Sequence, residues 1–130
     1  MRYMMLVKAT KDSEAGLPPK PELMAAIGKM AEEATKSGMM VGTGGLMPSL
    51  HGARVRVANG QASVIDGPFA ETKELVGGYA IFDLKSKEEA LKLGREFMQV
   101  HADIMGPSYE GELEIRPMYS MDASGNPQCS

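Results

Sequence analysis

The chain of 130 residues has no tryptophan, one cysteine and two histidines, and tyrosine and phenylalanine together number seven. The single cysteine, Cys129, can close no intramolecular disulfide, so folding does not depend on an oxidising compartment. In a tail rich in Ser, Gly and Pro it reads as an inert, mobile thiol. His51 and His101 have no metal-ligand spacing and no cysteine beside them, which excludes a zinc centre and a Cys/His nucleophile pair. No Gly-X-Ser-X-Gly elbow occurs, so the hydrolase route to acyl transfer has no support. A basic excess is missing as well. The net charge is −3, whereas nucleic-acid binding wants a cationic face, so no direct nucleic-acid partner is expected. Apolar runs are short. Met1–Lys8 is too brief for a signal peptide, and nothing approaches the roughly 18 apolar residues of a membrane span. No membrane partner and a cytoplasmic location are the expectation.

What remains is enough for one core. A single domain over residues 1–121 and a disordered tail over 122–130 are expected. Twelve methionines suit a pliable core, since Met fills irregular gaps. Residues 2–8 form an apolar run that ends at Lys8, a first strand. The polar stretch 9–20 carries Gly16, Pro18 and Pro19 and reads as a loop. Pro21 opens a helix in which Leu23, Ile27, Met30, Ala31 and Ala34 recur at helical spacing. Gly38 stands where a C-terminal cap belongs. A strand begins at Met39, interrupted by Gly42-Thr43-Gly44-Gly45. No Gly-Lys-Ser/Thr follows these glycines, so they mark a bulge or close approach and not a phosphate loop; no cofactor is expected.

Ala53-Arg54-Val55-Arg56-Val57 alternates with period two. Asn59-Gly60 then predicts a type I′ hairpin turn, and Gln61–Ile65 returns as the partner strand and delivers Asp66. Leu75–Leu84 is the most apolar segment, a central strand. Ser86-Lys87-Glu88-Glu89 is a capping box opening a second helix with Ala90, Gly94, Phe97, Met98 and His101 along one face. A loop over 102–111 and an alternating last strand over 112–118 complete the order. The sum is α+β: a βαβ-hairpin-βαβ antiparallel sheet, ferredoxin-like, with two helices on one face. The other apolar face needs a cover, and a second copy supplies one sheet to sheet.

The polar density peaks at Asp66-Gly67-Pro68-Phe69-Ala70-Glu71-Thr72-Lys73-Glu74. Asp-Gly-Pro is turn chemistry, and the next residues hold two acids, a hydroxyl and a cation. This nonapeptide resembles the signature of the DGPF subgroup of the YCII-related family. Lys8–Gly16 resembles a loop that one branch of that subgroup carries, Gly45-Leu46-Met47-Pro48-Ser49 its Gly-Leu-X-Pro-Ser segment, and Glu114–Pro117 its closing strand. Relatives often carry an acid just before the second segment and a His within it; here those positions hold Gly44 and Met47. The resemblance implies a homodimeric α+β barrel. It also implies a His–Asp cleft, whose Asp corresponds to Asp66, and a sigma-factor-related partner.

Two functions follow. In the first the protein is a ligand-binding or regulatory module with a cleft beside the nonapeptide, taking a small-molecule ligand through Phe69, Glu71, Lys73 and Arg116. In the second it is a small cofactor-free enzyme using Asp66 as acid or base on a compact organic substrate, with His101 or His51 as partner. Opposed to both, Asp66 serves only an Asx turn, Glu71 and Lys73 are solvated, and Arg116 makes a structural ion pair.

Overall fold

Tyr3 and Met5 on the first strand and Phe82 on the central one point to the same side, where Leu84 and Ala90 join them in the core. A computed structural model describes residues 1–128 and has this cluster at its centre; Cys129 lies outside the described residues. The first strand, β1 (Arg2–Lys8), is flanked on one side by β5 (Val76–Asp83) and on the other by β6 (Leu113–Pro117), while β2 (Met40–Gly45) lies beyond β5. All three pairings of this β2-β5-β1-β6 sheet are antiparallel. The register sets Tyr3 opposite Phe82 and Met5 opposite Ala80 on the core face. Because side chains alternate, Met4, Leu6, Tyr79 and Ile81 share the opposite face, where they are half-buried.

Two long helices cover the core face. Helix α2 (Pro21–Lys36) contributes Ala34, and α3 (Lys87–Met105) contributes Ala90 and Leu93. Gly38 has φ +80° just past α2, the left-handed cap its position predicts. Ser86 Oγ accepts from the Glu89 N–H at 3.2 Å; Glu89 reaches back to the Lys85 N–H at 3.1 Å, one residue before the cap. Gly94 lets α3 lie close on β6, since a β-carbon there would stand 2.7 Å from Ile115 Cδ1.

Several expectations need correction. The loop over 9–20 contains a short third helix, α1 (Lys11–Glu14), so the described residues hold three α-helices and not two. Its cause is local: Thr10 and Ser13 form a reciprocal capping box, each side chain taking the other's backbone N–H, at 3.1 Å and 2.8 Å. Helix α3 runs one turn beyond the expected boundary and ends at Gly106, whose φ is +94°. Where a disordered tail is expected, β7 (Ser120–Met121) pairs with β8 (Pro127–Gln128). The Asp122 carboxylate accepts from the N–H groups of Asn126 and Ser124 at 2.8 and 2.9 Å, which holds the turn; the Asn126 N–H foremost lowers the Asp122 pKa.

The hairpin β3 (Ala53–Ala58) and β4 (Gln61–Asp66) is a separate two-stranded sheet. Asn59 (φ 53°) and Gly60 (φ 76°) give it the type I′ turn. All twelve of its strand residues are exposed.

Candidate functional site

The antiparallel register brings the end of β1, the end of β2 and the start of β5 to one end of the sheet. Lys8 stands opposite Val76, and Gly45 opposite Gly78. Two backbone bonds seal this corner: Ala9 N–H to Leu75 O at 2.8 Å, and Leu46 N–H to Gly77 O at 2.9 Å. The loops that leave it are therefore neighbours, although they are far apart in sequence. They carry α1, the short 3₁₀ turn Ser49–His51 and the Asp66–Glu74 connection.

Ser49 joins the three. Its hydroxyl donates to Glu14 Oε2 and accepts from the Phe69 N–H at 3.1 Å. Its own N–H donates to Glu14 Oε1 at 2.9 Å. Glu14 is thus gripped at both oxygens. The Ser49 hydroxyl, and secondly its N–H, hold the Glu14 carboxyl below the ordinary glutamate value. Beside this, the Gly67 N–H donates to Gly52 O at 2.9 Å. A β-carbon at Gly67 would fall 1.7 Å from Ser49 O, so only glycine fits. The Gly67–Pro68 peptide is cis. The Arg54 guanidinium lies over the Phe69 ring, 3.9 Å from its centroid, and ties the hairpin base to the turn.

Among the residues expected to form a site, Asp66 closes β4 opposite Ala53, exposed. Its carboxylate makes no hydrogen bond or ion pair among the described residues. The Asx turn is thus not how this segment is held; the bonds through Ser49 and Gly52 hold it. Phe69 is half-buried under Arg54. Glu71 precedes the 3₁₀ turn Thr72–Glu74, and Lys73 stands within it; both are exposed. Arg116 lies on the open sheet face opposite Met4, with Nη1 3.7 Å from Glu114 Oε2, while Lys8 Nζ is 3.2 Å from Glu114 Oε1. This is a surface network of modest strength.

His101 belongs to the other layer. It is buried on α3, its Nδ1 lies 2.9 Å from Phe97 O, and its ring sits 4.6 Å from Phe97 and 5.8 Å from Tyr109. Carbonyl oxygen only accepts, so Nδ1 carries the proton. Burial raises the Tyr109 pKa and keeps that phenol neutral. None of these contacts joins His101 to Asp66, and His51 is exposed at the end of its 3₁₀ turn.

Sequence reasoning missed Glu14 and Ser49 as partners. The signal was present only as two separate polar loops, with nothing local to say that they meet.

The YCII-related domain model matches residues 1–106. A protein of Rhizobium meliloti (strain 1021), "Uncharacterized protein R00369", is 35% identical over 95 residues, covering 73% of this chain and 69% of that one. No helix among the described residues is long and apolar enough to cross a membrane.

Proposed function

The chain belongs to the YCII-related family, and from that premise and the geometry of the Asp66–Phe69 turn we propose a homodimeric module that binds a compact polar organic molecule without turning it over. The observation that carries this is the state of Asp66. It is an unpartnered carboxylate at the edge of a turn fixed by Ser49, Gly52 and Gly67, and the one buried histidine is committed to Phe97 in the helix layer. An unpartnered carboxylate on a fixed turn can recognise a polar ligand, and among the described residues no hydrogen bond or ion pair links Asp66 to a second titratable group that would pass its proton on. In this proposal Phe69, Glu71 and Lys73, on the same connection as Asp66, and Arg116, on the open sheet face, are the residues that would offer the ligand an aromatic edge and charges of both signs.

The β2-β5-β1-β6 order, with α2 and α3 on one face, supports a ferredoxin-like sheet. The half-buried Met4, Leu6, Tyr79 and Ile81 on its other face support pairing as a dimeric α+β barrel. A sigma-factor-related partner, the regulatory form of the proposal, is supported by resemblance alone.

The test equilibrates the purified protein with a cell metabolite extract and identifies retained compounds by native mass spectrometry. Asp66→Asn keeps the side-chain shape and loses the charge, so we expect a near-native melting temperature with at least tenfold weaker retention. Unchanged retention makes Asp66 part of the scaffold. Chemical conversion of a retained compound by the wild type, lost in Asp66→Asn, replaces the binding module with an enzyme.

A further inference from the structure

The chain exposes 9327 Å² of surface. A compact monomer of its 13.9 kDa mass exposes about 6,700 Å². The difference of about 2,600 Å² per chain exceeds the roughly 800 Å² per partner of a standard interface; doubled for a pair, to about 5,200 Å², it lies at the upper end of what obligate dimers cover. Part of the uncovered apolar surface is concentrated in one element, the hairpin, which carries Val55, Val57, Val64 and Ile65. In the hairpin, Val55 stands opposite Val64 and Val57 opposite Ala62, so these four share a face. Val55, Val57 and Val64 are each about two-thirds exposed or more, at 69%, 73% and 67%. β3 and β4 pack principally on each other. A lone two-stranded hairpin is marginally stable in water, and three valines on one bare face do not improve it. Arg54 and Arg56 occupy the opposite face with Ser63 and Ile65, so the two strand cations lie away from the valines.

The same register puts Asp66 on the valine face, opposite Ala53 at its base. Asp66 therefore borders the surface that a cover over the valines would occupy. We propose that the hairpin is an arm covered by a second copy of this chain, and that the ligand site at Asp66 is complete only in the pair. This rests on the homodimer reading above and adds to it: sheet-face contact alone leaves the arm bare. The missing area is the argument for a second copy as occupant, because every chain carries the same excess and a two-fold pair removes it from both at once.

The experiment compares wild type, Val57→Asp and Ile81→Asp by sedimentation velocity across nanomolar to micromolar concentration, with amide exchange of residues 53–66 as a measurement that needs no substitution. In the isolated chain Val57 is bare, so Val57→Asp leaves monomer folding unchanged by circular dichroism. The expected results are a dimer dissociation constant raised at least tenfold by Val57→Asp, and hairpin amides that exchange at least tenfold slower in the dimer. A dimer that Ile81→Asp weakens and Val57→Asp does not, with hairpin amides exchanging freely, overturns the arm and leaves the sheet-face dimer standing; the valine face is then open to a different protein. A dimer indifferent to Ile81→Asp but broken by Val57→Asp keeps the arm and removes the sheet-face contact. A monomer throughout removes both.

Discussion

Gly67 shows how little freedom the turn has at the level of single residues. Its missing β-carbon would overlap the Ser49 carbonyl oxygen at 1.7 Å, and that atom is backbone, which cannot rotate away. Gly67→Ala should therefore cost roughly 3 kcal/mol, at the large end for a single added methyl, because the Ser49 turn or the hairpin base must shift. Urea denaturation with an unchanged midpoint would refute the packing. Glu14 makes a second residue-scale prediction. Its pKa is lowered by the Ser49 hydroxyl and then by the Ser49 N–H. A lowered folded pKa gives a contribution that is complete above the ordinary glutamate value and is lost as pH falls through the folded one. Glu14→Gln should flatten that acid limb, which lies below the ordinary glutamate value of 4.5. Parallel stability profiles for the two proteins over that range would show that Glu14 is not the group responsible.

Among the elements, the hairpin and the long helices differ in what stabilises them. Helices α2 and α3 bury Leu23, Ala90 and Gly94 against the sheet and each other, and burial of a large apolar side chain such as Leu23 contributes about 1.5–3 kcal/mol. The hairpin lacks such burial and leans on its turn. Gly60, at φ +76°, is followed directly by the return strand. Gly60→Val should destabilise the hairpin by roughly 1 kcal/mol or more, since a β-branched residue resists positive φ. The loss belongs in the exchange rates of the β3 and β4 amides; rates equal to wild type would contradict it. The interrupted β2 strand has its own explanation. A bulge falls between Met40 and Gly42, and the Tyr79 ring lies against Gly44, where a β-carbon would stand 2.9 Å from Cε1.

For the whole molecule, a small core and a large surface point the same way. Among the described residues the buried hydrophobic side chains number seven: Tyr3, Met5, Leu23, Leu75, Phe82, Leu84 and Ala90. Helices protect one sheet face, and Met4, Leu6, Tyr79 and Ile81 remain half-covered on the other. A dimer at micromolar concentration is the expected outcome, with a melting temperature that rises with protein concentration, because association stabilises the folded state by mass action. A melting temperature constant over a hundredfold concentration range would count against it.

The sequence alone determined whatever depends on neighbours along the chain. Period-two alternation in 53–57, the cap at Gly38, the Asn59-Gly60 turn and the Ser86 cap are short-range physics, and each stands where the residues put it. Even α1 was written locally, in the Thr10–Ser13 capping box, but four residues are too few for a periodic signal. Long-range geometry decided the rest. Glu14, Ser49 and Phe69 meet because three strand ends share a corner of an antiparallel sheet, a fact of register that no window of sequence contains. His101 went to the helix layer because the core face of α3 took it, away from the carboxylate at Asp66. The bare face of the hairpin was also invisible in the pattern, since alternation says that one face is apolar and only the tertiary structure says whether anything lies against it.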